Sequence, residues 1–398
     1  MYRRPNKYDF YIITLIALLA FGEFGGALQL TRVAGICFMP ALLSGSHKII
    51  NDIKRPKKFV LIVLSWCVLS LLWTGNAERG LQEIIYYFVH LCIFLEIVTF
   101  SLLANKRLFS ISMGWAIAVL GTAIVAVWEL KTGLHLPYCR FDSDLILHTG
   151  FIRRFAAATF FNFNDYEVFL CYSLPFLFVG IGQSERIQTL FFFFAALLAA
   201  IAIILFNASR GATVSAGIIC TIGLTKVLKN RGKHIKILVI IMVALFIITL
   251  AENIDAIMVN LIGRMDSMSV TESSRTEIWW LALECLENTL FIGTGIAGVE
   301  KGMSVVSNHY LAPHNMFVEI AVEFGLIIFI YVLLKIFKML KFTIRNHSPY
   351  KKVLYATFFA LPFIAIISSK YLLCVDLYVF FGSLYVLVYN EKYSQIIH

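Results

Sequence analysis

The sequence predicts an all-α, polytopic transmembrane helical bundle of about twelve spans, with both termini cytoplasmic and a partly helical long external loop. Three observations predict it. First, 60% of the 398 residues are hydrophobic and only 15% are charged, against about 25% charged in a typical soluble domain, so a soluble fold is excluded. Second, the apolar residues gather in blocks of roughly 17 to 25, such as 10–30 and 235–251, matching the ~20 residues that cross ~30 Å of hydrocarbon. Third, the basic residues cluster between alternate blocks: five in 48–58, five in 226–236 and six in 335–352. Lys and Arg are retained on the cytoplasmic side, and an even number of spans satisfies that rule with no segment reversed.

Read in order, the spans lie near 10–29, 33–50, 59–74, 84–104, 108–129, 166–183, 187–207, 212–228, 235–251, 314–337, 353–369 and 371–389. They form a single polytopic domain over 1–398, without an internal repeat or low-complexity tract. Two outside segments, 130–165 and 252–313, are too long for simple connectors, and long loops in compact proteins are usually functional. The second holds eight acidic against three basic residues, a composition unsuited to anchoring on anionic lipid. Within it Ser274-Arg275-Thr276-Glu277 fits a capping box, predicting a helix from there to about Asn288 with Trp279 and Trp280 at the membrane interface. Gly293-Thr294-Gly295 supplies the exit. Of the eight cysteines only Cys139 and Cys285 fall outside predicted spans. All read as packing residues, with a disulfide between those two left open should their loops meet. The net charge of +10 does not imply nucleic acid, because in a membrane protein the position of the charges decides their meaning.

Ionisable groups at the external ends of spans mark places where water and a lipid-borne substrate both reach. Arg210, in Ser209-Arg210-Gly211 between two spans, is such a group; an arginine snorkelling to headgroups is the plain alternative. Arg275 is expected in the first turn of the interfacial helix, where the positive dipole end disfavours a cation, so its place suggests a task other than helix stability, with pairing to Glu272 as the alternative. His314 follows Pro313, and Pro313-His314-Asn315 reads as the start of a helix. A helix N-terminus attracts anions and disfavours imidazolium, which suits phosphate binding or a neutral histidine acting as base; a packed or solvated histidine is the alternative. Asn315, Glu319 and Glu323 recur at i, i+4 and i+8 on one face, which should line the bundle interior. Asp142-Ser143-Asp144 resembles a metal-binding aspartate pair only over three residues. His135, His148 and His309 show no ligand spacing, and there is no Walker motif; no metal and no cofactor is expected.

Together these residues resemble the O-antigen ligase and polymerase family of polytopic glycosyltransferases. Arg154-Phe-Ala-Ala-Ala-Thr-Phe-Phe-Asn162-Phe-Asn164, with Phe169-Leu170 and Pro175, is similar to the family's Arg-x-x-Gly-x-Phe-x-Asn-Pro-Asn segment. Ser209-Arg210 matches its Ser-Arg pair. Arg275-Thr-Glu-Ile-Trp279 with Gly293-Thr-Gly295 matches Arg-x-x-x-Trp and Gly-x-Gly, and His314-Asn315 with Glu323-Phe-Gly325 matches His-Asn…Glu-x-Gly. Phe163 replaces the usual proline, alanines replace the first glycine, and Thr289 or Leu290 stands where a proline often precedes Gly-x-Gly. The resemblance covers roughly 150–340. It implies a GT-C-like fold and an inverting, metal-independent transfer from a polyprenyl-diphosphate-linked oligosaccharide to a growing glycan. The site would lie at the outer face of the bacterial cytoplasmic membrane, with a flippase and a chain-length regulator as partners. By the same resemblance Arg210, Arg275 and His314 are the catalytic group, and Arg154, Asn164, Asn315, Glu319 and Glu323 bind substrate. A polymerase of repeat units is the first expectation. A ligase moving finished glycan to a lipid A core or protein shares every motif, and a transporter or flippase is the alternative from another class.

Overall fold

The computed structural model describes residues 4–141, 145–146, 152–229, 268–307 and 312–394, with single helical positions between 236 and 258. The expected all-α class is what it shows. The helices are α1 (Lys7–Ala17), α2 (Leu30–Lys48), α3 (Lys54–Ser70), α4 (Ala77–Leu103), α5 (Arg107–Thr132), α6 (Phe163–Gln183), α7 (Ile187–Asn207) and α8 (Arg210–Lys229). They continue with α9 (Met268–Asn288), α10 (Val299–Ser307), α11 (Met316–Arg345), α12 (Lys351–Ile364) and α13 (Val375–Ser394). Two residues on each side pair antiparallel in the first long loop, Leu145 with Arg153 and Ile146 with Ile152.

Among the described residues five helices, α4, α5, α6, α7 and α11, are long and apolar enough to cross a membrane. The dozen expected is thus met only in part. At 11, 17 and 14 residues, α1, α3 and α12 are short for a ~30 Å crossing at 1.5 Å per residue. The expected span 235–251 lies mostly outside the described residues.

Two expected spans break where the apolar pattern runs on. Residues 10–29 are interrupted after Ala17 by 3-10 turns at Leu18–Phe21 and Gly26–Leu28, because Gly22, Gly25 and Gly26 all take positive φ, a conformation that ends a helix. At the other end, 353–369 and 371–389 are separated by ten residues, since α12 stops at Ile364 and α13 starts at Val375. That turn organises the site described below.

α6 packs against α5, α7 and α8, while α12 lies on α8, α13 on α4, α2 on α4 and α1 on α5. Aromatic rings fill the centre: Trp115 stacks on Phe176 at 5.5 Å and Tyr172 on Phe380 at 4.2 Å, separations at which offset aromatic pairs attract.

α11 is two helices in one. At Gly325 (φ 76°, ψ 174°) the backbone leaves the helical region, and the carbonyls freed by the break are taken up by the Gly293-Thr294-Gly295 turn. Thr294 N–H donates to Val322 O (2.8 Å) and Gly295 N–H to Glu323 O (3.0 Å), while Leu326 N–H donates back to Phe291 O (3.0 Å). A Cβ on Gly325 would sit 2.1 Å from Ile292 O, and one on Gly293 would sit 2.4 Å from Gly325 N. The end of α3 closes the joint, with Trp73 Nε1 donating to Gly293 O at 3.0 Å and Thr74 Oγ1 to Ile296 O at 2.6 Å. Two motif fragments more than two dozen residues apart are therefore halves of one backbone lock.

Candidate functional site

The site is built on the turn between α12 and α13. Met316 N–H, in the first turn of α11, donates to Ala365 O at 2.8 Å, and Arg275 Nη1 donates to Ile366 O at 3.3 Å. Gly211 closes on the same turn from α8, where a Cβ would lie 2.9 Å from Phe363 O and from Ile367 Cγ1. Ser368 Oγ hydrogen-bonds Asp165 in the first turn of α6, and Tyr371 Oη accepts from the N–H groups of Ile367 and Ser368 at 3.0 and 2.8 Å. The segments that carry Arg210, Arg275, His314 and Asn164 thus converge on one turn.

His314 precedes its helix and does not open it. The N-cap is Asn315, whose side-chain oxygen accepts from Phe317 and Val318 N–H at 2.9 and 3.3 Å. The expected helix start at Pro313 is therefore two to three residues early, because the asparagine cap outcompetes proline's preference for the first turn. His314 itself takes φ 49°, a left-handed conformation in which histidine is enriched among non-glycine residues. Trp279 Nε1 donates to Pro313 O at 2.9 Å, pinning the residue before it.

The imidazole is half-buried, and its Nδ1 is buried with no hydrogen-bond partner among the described residues. Burial pushes its pKa down to about 4, and the charges of Arg275 and then Arg140 act in the same direction. The ring is neutral at pH 7 and lies within electrostatic reach of both guanidinium groups.

Arg275 sits in the eighth position of α9, in its second to third turn, because that helix begins at Met268 and not at Ser274. The expected conflict with a first-turn dipole is thereby removed, and the guanidinium reaches the Ile366 carbonyl. Arg210 is exposed in the first residue of α8. Arg140 was not singled out by any motif, yet it is the second cation acting on His314. Its N–H donates to Phe161 O at 2.7 Å, fixing the loop against the Asn162 region. Arg154 is exposed and donates to Leu130 O at 3.1 Å, at the end of α5.

Buried polar groups hold this first loop in place. Glu129 accepts from Ala157 and Ala158 N–H at 2.8 and 2.6 Å, and its other oxygen meets His135 Nδ1 at 3.1 Å. Asn207, two residues before Ser209, brackets Ala156 through both backbone groups at 2.7 and 2.8 Å. Ala158, among the alanines standing where a glycine was expected, takes φ 50°. Asn164 N–H donates to the N-cap Asn162 at 2.7 Å. Asp142, Asp144, His148 and His309 lie outside the described residues, and among those described no three His, Cys, Asp or Glu side chains converge as metal ligands. Cys139 and Cys285 are free thiols in separate apolar clusters, beside Phe155 and Met303 respectively.

Next to Pro313 opens a cleft lined by Glu83, Glu300, Glu319, Glu323, Arg79 and Lys370 among others. Of the expected Asn315, Glu319 and Glu323 stripe, the two acids do turn inward. Glu319 accepts from Tyr371 N–H at 2.9 Å and Glu323 from Tyr87 Oη at 3.1 Å, while Asn315 serves as the cap. Carboxylates, a lysine and an arginine in one cleft can hold a polyhydroxylated group beside a neutral base.

Residues 194–333 match the family model described as O-antigen ligase, a stretch containing Arg210, Arg275, His314 and the Gly293–Gly325 lock. No curated protein matches the chain.

Proposed function

We infer, from the match of residues 194–333 to the family model described as O-antigen ligase and the glycosyltransferase-like activity that family implies, that this chain polymerises lipid-linked oligosaccharide repeat units. The donor is a polyprenyl-diphosphate-linked oligosaccharide and the acceptor a growing glycan of the same kind. The observation that carries the reading is His314: a neutral imidazole whose buried Nδ1 has no hydrogen-bond partner among the described residues and whose protonation the charges of Arg275 and Arg140 oppose.

In the reaction, an acceptor hydroxyl oxygen attacks the anomeric carbon of the donor sugar from the face opposite the diphosphate. The new C–O bond forms as the bond to the diphosphate oxygen breaks with its electron pair, so the anomeric configuration inverts. His314 takes the hydroxyl proton, a contribution of roughly 10² to 10⁴ in rate for a positioned base. Negative charge develops on the departing diphosphate, and Arg210 and Arg275, forked donors that match phosphate oxygens, stabilise it. Arg140 joins them in this reading, while Glu319 and Glu323 hold acceptor hydroxyls in the neighbouring cleft. Arg154 and Asn164 shape the loop around the donor. The chain would lie in a bacterial cytoplasmic membrane with about a dozen spans, both termini inside and the site outside; the basic clusters at 48–58, 226–236 and 335–352 support that orientation.

The test is purified protein in lipid nanodiscs with a synthetic polyprenyl-diphosphate oligosaccharide. A ladder of products is expected. Product formed only when a different acceptor is added would assign ligation instead, and donor binding without any transfer would overturn both in favour of transport. The variant His314→Asn keeps a residue that tolerates positive φ, so it separates chemistry from backbone: transfer should fall by roughly 10² to 10⁴ with donor binding retained.

A further inference from the structure

Behind the site, α3, α4, α11 and α13 enclose a groove of about 550 Å³, within the roughly 300–1,000 Å³ of small-molecule pockets. Its walls are apolar along most of their length, including Phe59, Phe94, Phe324 and Ile328. One end differs. Lys335, Lys338, Lys341 and Arg345 follow one another on α11 at spacings of three and four, a single helical stripe, and all four line the groove together with Arg55 from the start of α3. No acidic side chain lines it, and among the described residues none of these five cations is ion-paired. Lys335 packs over the Tyr331 ring at 4.6 Å and feels the charges of Arg55 and Lys58. Tyr385 and Tyr389, rings 4.6 Å apart, floor the same end.

Shape and charge together define the occupant. An apolar trough calls for hydrocarbon, and five cations at its mouth without a counter-charge call for an anion attached to that hydrocarbon. Counted along α11 at 1.5 Å per residue, the cationic stripe lies roughly 30 to 45 Å from His314, at or beyond the ~30 Å thickness of the hydrocarbon core. A lipid whose diphosphate sits at His314 therefore cannot present that same group to Lys338 and Arg345. We propose that the groove binds an anionic phospholipid from the leaflet opposite His314, which the basic clusters identify as the cytoplasmic one. Its phosphate lies against Arg55, Lys338, Lys341 and Arg345, and an acyl chain runs up beside Phe59 and Ile328. Such a lipid neutralises the stripe and fills the wedge beneath the broken helix. The proposal is independent of the glycosyl-transfer reading.

The test uses the full chain, delipidated in neutral detergent and supplied with phosphatidylglycerol or phosphatidylcholine, with bound lipid counted by native mass spectrometry. The expected result is one tightly retained phosphatidylglycerol, no comparable phosphatidylcholine, and at least tenfold weaker retention in Lys338→Ala/Lys341→Ala/Arg345→Ala. The control Lys351→Ala/Lys352→Ala removes cations that do not line the groove and should leave retention unchanged. Val332→Trp, which narrows the trough and keeps every charge, should weaken it as well. Equal retention in the triple variant overturns the proposal. So does equal loss in the control, which would mean diffuse surface attraction. Displacement of phosphatidylglycerol by an equimolar polyprenyl phosphate would assign the groove to a polyprenyl chain and overturn it too.

Discussion

His314 illustrates how much a single position can encode and how much only the fold supplies. Its ring is neutral down to about pH 4 because burial, then Arg275 and Arg140, oppose protonation. A general base works in its unprotonated form, so kcat/KM should stay level as pH falls from 7 to about 5 and then decline on an acid limb near 4. Bound diphosphate stabilises the imidazolium, so the acid limb of kcat should lie at higher pH than that of kcat/KM. Arg275→Gln removes the larger of the two charge effects but leaves burial, the main cause, in place. Its acid limb in kcat/KM should therefore move up only part of the way to the ordinary histidine value of about 6.5, and an unmoved limb would refute the contact. Arg140→Gln should shift the limb in the same sense by less and lower transfer at pH 7 by roughly 10-fold or more, the scale of one charge-assisted hydrogen bond. Arg210 and His314 stand out in the sequence because each lies at the polar edge of an apolar block, and Arg275 because it heads a capping-box helix in an otherwise acidic loop. Arg140 does not, since nothing in Cys139-Arg140-Phe141 marks it; only the Phe161 carbonyl that anchors its backbone brings it to the site.

Helices and turns divide along the same line. Where a block is long and uniformly apolar, as in α6 and α7, its ends are legible to within a few residues. It failed where polar and apolar signals overlap. Thr271 to Ser274 continue α9 although Ser274-Arg275-Thr276-Glu277 has the pattern of a capping box, and the apolar run from 353 to 389 hides the ten-residue turn on which the site is built. Nor does the pattern reveal that Gly293-x-Gly295 and Glu323-x-Gly325 interlock, since that depends on a helix break visible only in three dimensions. The lock makes contrasting demands on two small residues. Gly325→Ala would place a methyl 2.1 Å from Ile292 O at a backbone conformation essentially restricted to glycine, costing at least about 3 kcal/mol. Thermal unfolding in detergent should show a clear loss of stability together with loss of transfer. Ala158→Gly relieves a left-handed alanine, a gain of about 1 kcal/mol offset by a similar loss of chain entropy. Its melting point should therefore stay close to the parent's, and a large drop would contradict the backbone geometry.

At the scale of the whole chain, the site gathers segments from four distant regions onto one end of the bundle, while the cationic stripe marks the other. If basic residues set the orientation, α10 faces outside and the end of α11 faces the cytoplasm. Val305 on α10 is 73% exposed and Lys341 is exposed on α11, so each can carry a reporter thiol without disturbing packing. Cys37 is the native cysteine exposed among the described residues, so the parent for labelling is Cys37→Ser. In intact cells a membrane-impermeant maleimide should label Val305→Cys, and it should label Lys341→Cys only after the membrane is opened. The reverse pattern would turn His314 toward the cytoplasm and with it the proposed chemistry. A lipid-linked donor would then react before crossing the bilayer, and the carboxylate cleft would meet cytosolic acceptors. Equal labelling of both positions from outside would instead mean that α11 does not separate two aqueous compartments, which its apolar length argues against.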